Sequence, residues 1–232
     1  MSLKSQIRSD IADVFLNTSD FADTVLYRGA EVAAIKTEYG TRRPAGRDLL
    51  VESDVAARGV DFQMSFTDIT ADDEIAIPQA GDEIEWTDDD GHVHTFVVFP
   101  RYAEKCFDGM DDRNGLVRLY TFAEDDFRPL VVTLANGREP FTVPAIPATI
   151  RAAEDYTDAR SETRVLTTTA YVARSDLASV DTPPAAAKCD FLGLAGWAID
   201  MNRTEWGQGL VKIGLMRETL VREWQARRNA TV

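Results

Sequence analysis

His92 and His94 are the two histidines of the chain, and they follow directly on Asp88, Asp89 and Asp90. Two imidazoles spaced i, i+2 on a strand face one side, and a carboxylate turned the same way would complete a metal site. The spacing fixes no third ligand, so no metal is expected here. Asp88-Asp-Asp-Gly91 also departs from the calcium-binding loop, which alternates its ligands and ends on a Glu at the twelfth position. Counted from Asp88, that position is Phe99.

Other chemistry finds even less to work with. Gly-x-Ser-x-Gly, the P-loop and GxGxxG do not occur. Cys106 has Lys105 beside it but lies in no motif that marks an activated thiol. Carboxylates are so frequent that no pair stands out as a general acid and base. Trp197, Trp206 and Trp224 read as core or interface anchors. The expectation is a chain with no catalytic residues and no cofactor.

The elements that must hold these residues are β-strands. Gly81-Asp-Glu-Ile-Glu-Trp86 runs into Asp88-Asp-Asp-Gly91 and returns as His92-Val-His-Thr-Phe-Val-Val-Phe99. Asp-Gly between two β-prone runs predicts a hairpin closed by a type I′ turn, with positive φ at both central residues. Ile84 and Trp86 alternate with Glu83 and Glu85, so one face is expected to be buried and the other wet. The hairpin therefore reads as part of a β-domain whose exposed face is loaded with carboxylates.

Charge is concentrated in the same region. The chain carries −14 overall, and residues 51–100 hold one basic residue against thirteen acidic ones. Residues 123–232 are close to balance, with thirteen basic and fifteen acidic. So acidic a segment is a poor grip for nucleic-acid phosphates, where Lys and Arg supply the affinity. It suits a surface that meets DNA without holding it, or one that is simply solvated.

At 232 residues the chain has room for one or two domains, and a 44% hydrophobic fraction supplies ordinary cores. No apolar run approaches the roughly 18 residues that cross a bilayer as a helix. Met1 to Asp10 lacks an apolar signal core, which points to a cytoplasm or a particle assembled there. Cys106 and Cys189 form no CxxC pair and read as isolated packing residues.

Along the chain, residues 2–16 have helical spacing, with Leu3, Ile7, Ile11, Val14 and Phe15 on one face and Asn17–Asp20 as the stop. Short strands are predicted at Thr24–Arg28, Glu31–Ile35, Asp48–Val55, Gly59–Phe66 and Leu116–Tyr120, with a basic loop over Gly40–Gly46. A boundary is expected near Ala123-Glu-Asp-Asp-Phe-Arg-Pro129, separating residues 1–122 from 123–232. Beyond it come strands at Leu130–Leu134, Ser161–Val172, Phe191–Met201 and Leu210–Met216. A hairpin turn is placed at Asn136-Gly137, and a loop at Asp181–Pro184. Pro140, Pro144 and Pro147 predict an extended, irregular stretch that includes Phe141–Ala148, and Arg217–Arg228 reads as a helix-compatible basic tail. The fold class is therefore mainly β, with two small β-barrel or sandwich domains and a short N-terminal helix.

Three short echoes suggest that the second half is a divergent duplicate of the first. Arg28-Gly-Ala-Glu31 pairs with Asn136-Gly-Arg-Glu139. Val55-Ala-Ala-Arg58 pairs with Tyr171-Val-Ala-Arg174, and Gly115-Leu-Val-Arg118 with Gly209-Leu-Val-Lys212.

Four features of residues 1–122 share one pattern of spacing: the opening helix followed by Asn17–Arg28, the Pro78-Gln-Ala-Gly-Asp-Glu-Ile84 block, Thr95-Phe-Val-Val98 after a hydrated turn, and Gly115-Leu-Val-Arg-Leu-Tyr120. In that spacing residues 1–122 resemble the head–tail joining, or stopper, proteins of long-tailed bacteriophages. The resemblance implies a small β-barrel or sandwich with a flanking helix, without catalytic residues. It implies a hexameric ring in the virion neck, between portal and adaptor rings and the tail, with double-stranded DNA passing through unbound. Such a chain is assembled in the host cytoplasm and has no membrane partner. Asp72, Asp73, Glu74, Asp88, Asp89 and Asp90 are then candidates to face the DNA path. Typical members match only the first half, so residues 123–232 are an addition. A tail terminator or other tail protein is the neighbouring alternative. A small β-domain hydrolase or carbohydrate-binding module is the alternative of a different class.

Overall fold

The computed structural model describes residues 6, 10, 14–19, 21–38, 59–65, 77–100, 105–109, 115–134, 139–148, 150–152, 163–177, 187–207 and 209–220. The helix expected over residues 2–16 lies mostly outside them, as do Gly40–Gly46, Asp48–Val55, Asn136-Gly137 and Asp181–Pro184. Contacts divide the described residues into two units between Asp126 and Phe127. The last strand of the N-terminal unit runs on to Ala123, which lies opposite Phe96.

The N-terminal unit is a closed antiparallel barrel of six strands. They are β1 (Asp23–Tyr27), β2 (Ala30–Glu38), β3 (Gly59–Ser65), β4 (Glu83–Thr87), β5 (Val93–Val98) and β7 (Leu116–Ala123), with a two-residue β6 (Phe107–Asp108) added on β7. Around the wall the order is β3, β2, β1, β4, β5, β7 and back to β3. Alternation makes the core. Val25 and Tyr27, Val32 and Ala34, Phe62 and Met64, Ile84, and Phe96 and Val98 are inward and buried. Phe62 meets Phe96 edge to face at 5.2 Å between ring centres.

The C-terminal unit is a second closed barrel of six antiparallel strands. They are β8 (Arg128–Thr133), β9 (Phe141–Pro147), β11 (Thr163–Ala173), β12 (Lys188–Phe191), β13 (Leu194–Ile199) and β15 (Leu210–Leu220). The two-residue β10 (Arg151–Ala152) pairs with β11, and β14 (Glu205–Trp206) pairs with β15. The wall order is β11, β9, β8, β12, β13, β15 and back to β11. Its longest seam is the unbroken ladder from Thr163 opposite Leu220 to Ala173 opposite Leu210. Trp197 is fully buried, and its indole N–H donates to the Phe191 carbonyl at 3.1 Å.

Ranked within its own barrel, each wall runs third, second, first, fourth, fifth, last. Each last strand also carries one added two-residue strand. Duplication of one barrel would produce this shared order. Gly115–Arg118 and Gly209–Lys212 open the two equivalent last strands, β7 and β15. Arg28–Glu31 falls at the first turn of the N-terminal barrel, whereas Asn136–Arg138 lie outside the described residues. The third echo does not align. Tyr171–Arg174 ends β11, whereas Val55–Arg58 comes before its counterpart β3.

Three local expectations need correction. Phe141–Pro147 is a regular strand despite its prolines. Pro144 lies opposite Pro129, where both nitrogens lack a proton, so this pair must be a non-hydrogen-bonded position of the ladder. Arg217–Leu220 continues β15 rather than beginning a helical tail. The type I′ turns also fall elsewhere. Asp90 does not have positive φ, whereas Arg28-Gly29 (φ 50° and 82°) and Leu192-Gly193 (φ 53° and 69°) each join two adjacent strands with positive φ at both residues.

Candidate functional site

A densely bonded polar cluster among the described residues is the tip of the β4–β5 hairpin. The last paired residues are Thr87 and Val93, which leaves five residues, 88–92, in the loop. The backbone closes it twice, with the Asp88 N–H donating to the His92 carbonyl at 2.9 Å and the Gly91 N–H to the Asp88 carbonyl at 3.0 Å. Gly91 takes the left-handed conformation (φ 83°) that lets the chain re-enter the sheet. A wider loop thus replaces the two-residue turn.

Asp88 organises this loop. Its Oδ1 accepts from the backbone N–H groups of Asp90 at 3.0 Å and His92 at 2.8 Å. Its Oδ2 lies 2.9 Å from His94 Nε2 and 3.5 Å from His92 Nδ1. The His94 hydrogen bond, followed by those from the backbone, holds the carboxyl at about 2, below the ordinary carboxylate range. Asp89, Asp90, His92 and His94 are exposed. Glu83 and Glu85 are exposed on the outer face, while Ile84 is fully buried, as the alternation predicts.

Behind the tip sits Trp86, directly opposite His94 in the ladder, with the two rings 5.4 Å apart. Its indole N–H donates to Asp23 Oδ2 at 3.0 Å, and Lys36 Nζ stands 3.4 Å above its ring. The Trp86 alternation was legible in the sequence. Its cation partner was not, because Lys36 arrives from β2, fifty residues earlier.

Asp82 was also missed. Its Oδ2 accepts from Tyr27 Oη at 2.9 Å, from Arg28 Nη2 at 2.7 Å and from the Gln79 N–H at 2.8 Å. The only sequence signal is an Asp after Gly81 at the entrance of a strand. The role is structural: it clasps the end of β1 to the segment leading into β4.

Of the six acidic candidates, Asp88, Asp89 and Asp90 share the tip, and Asp72, Asp73 and Glu74 lie outside the described residues. Cys106 and Cys189 are free, buried and in different barrels. Burial pushes their thiols up, to about 11 and about 12, so both are poor nucleophiles near neutrality. In the C-terminal barrel an open groove of about 520 Å³ is lined by Arg128, Asp190, Phe191 and Leu194 among others. Asp190 Oδ1 is engaged by the Gly196 N–H at 2.9 Å, and none of the lining residues is a serine, cysteine, lysine or histidine. Among the described residues no helix is long and apolar enough to cross a membrane.

No protein-family model, curated protein or solved structure matches this chain.

Proposed function

We propose that the chain is a structural protein of a bacteriophage neck, a ring-forming head–tail connector that lets DNA pass from head to tail. The observation that carries the reading is a closed barrel whose β4–β5 hairpin presents Glu83, Glu85, Asp89 and Asp90 to solvent. It lies within the residues that resemble the stopper proteins, in a segment of one basic and thirteen acidic residues. Symmetry would repeat each carboxylate around a lumen. Single charges would then sum to a field that repels phosphates, screened beyond about 8 Å at physiological salt. The near-balanced C-terminal barrel is the part free to contact neighbouring rings, and the partners are the portal or adaptor ring and tail proteins.

Imaging of the intact particle at residue resolution tests the reading. A ring of this chain between portal and tail is expected. Its absence from particles would overturn the proposal, and a ring at the tail's own end would favour a tail terminator. Changing Asp89 and Asp90 together to Lys should leave particles assembled, because both side chains are exposed loop charges, which contribute little to stability. DNA ejection should slow, most of all at low salt. Unchanged ejection from assembled variant particles at low salt would place the tip away from the DNA path.

A further inference from the structure

The hairpin tip closes a ligand set that the linear spacing leaves open. One donor atom from each of Asp88, Asp90 and His92 lies within 4.8 Å of the other two. The Asp88 Oδ2 to His92 Nδ1 separation is 3.5 Å. Two ligand atoms bonded at about 2.0–2.1 Å to a tetrahedral ion stand roughly 3.3 Å apart. That pair is therefore already at the spacing an ion requires. Since all three donor atoms lie within 4.8 Å of one another, closing the remaining separations to that spacing takes at most about 1.5 Å, within reach of a side-chain rotation for exposed Asp90.

The central ligand is preoriented. Two backbone N–H groups hold Asp88 Oδ1, which turns Oδ2 toward the imidazoles of His92 and His94. His94 contacts that oxygen at 2.9 Å, and its ring is backed by Trp86, itself fixed by Asp23. Carboxylates that ligate metals are commonly held by further hydrogen bonds, as His94 holds Asp88 here. The donor set of two carboxylates and one imidazole also selects the ion. Calcium takes six to eight oxygens, whereas imidazole suits zinc, copper and nickel.

We infer that the β4–β5 tip binds one divalent transition-metal ion of the zinc class through Asp88, Asp90 and His92, with His94 positioning Asp88. The site is independent of the ring, because its three ligands belong to one loop of one chain. The ion would offset the negative charge of the tip, so metal loading would set how strongly the tip repels phosphates.

Calorimetric titration of the full chain with zinc chloride, after dialysis against a chelator, tests the site. One ion per chain is expected, with calcium chloride giving no comparable binding. The double variant Asp90→Asn with His92→Ala should lose the binding while keeping the wild-type circular-dichroism spectrum, since only the backbone of these residues closes the loop. His94→Gln should weaken binding roughly 10-fold. Absence of saturable one-to-one zinc binding, or equal binding by the folded double variant, would overturn the inference.

Discussion

At the scale of single residues, Asp88 is the most strongly engaged ionisable group of the tip. Its carboxyl is held at about 2 chiefly by His94 and then by the His92 N–H. A depressed folded-state value means that the charged form is favoured by folding. Its contribution is therefore complete above the ordinary carboxylate value of about 4 and is lost as pH falls through about 2. A carboxyl-carbon titration followed by nuclear magnetic resonance should find Asp88 ionised well below the ordinary carboxylate range. In His94→Gln its midpoint should rise, because the largest cause of the shift is removed. An unchanged midpoint would mean that the backbone N–H groups alone hold it.

At the scale of elements, Asp82 ties the end of β1 to the entrance of β4. Its Oδ2 accepts from Tyr27, Arg28 and the Gln79 backbone, and its own carbonyl accepts the Val98 N–H at 2.8 Å. Asp82→Ala removes one charged acceptor and strands the Tyr27 hydroxyl, which is part of a residue only 2% exposed. The loss should be about 2–3 kcal/mol of the stability of this barrel. Asp82→Asn keeps an acceptor and should lose less. Urea unfolding followed by Trp86 fluorescence measures both. Equal stability of wild type and Asp82→Ala would show that the clasp is dispensable. Burial, and then the Asp82 charge, raise the Tyr27 hydroxyl above its ordinary value, so it remains protonated and donating through physiological pH.

At the scale of the whole molecule, the chain is two barrels of one strand order, each with its own buried core. A core that closes on itself needs no surface from elsewhere. Residues 127–232 expressed alone should therefore unfold in one cooperative transition, with Trp197 as the buried reporter. Trp197→Ala should destabilise that fragment by about 3–5 kcal/mol. A fragment without a cooperative transition would show that the C-terminal barrel depends on the rest of the chain.

The sequence by itself determined the β class, the Ile84 and Glu83/Glu85 alternation, the hairpin at residues 81–99 and the local acidity. These follow from period-two patterning and from turn residues, which act over a few neighbours. It misplaced the type I′ turns, because Asp90-Gly91 and Arg28-Gly29 differ in how many residues the flanking strands leave to the loop. It read Phe141–Pro147 as irregular, because whether a proline interrupts a strand depends on which edge its nitrogen faces. Only the tertiary structure decided that the strands close into two barrels of the same circular order. Closure is set by pairings such as Gly59 with Phe122 and Thr163 with Leu220, more than fifty residues apart. It also put Lys36 over Trp86 and joined Asp82 to Tyr27. Those contacts depend on the path of the chain through space, which local spacing does not encode.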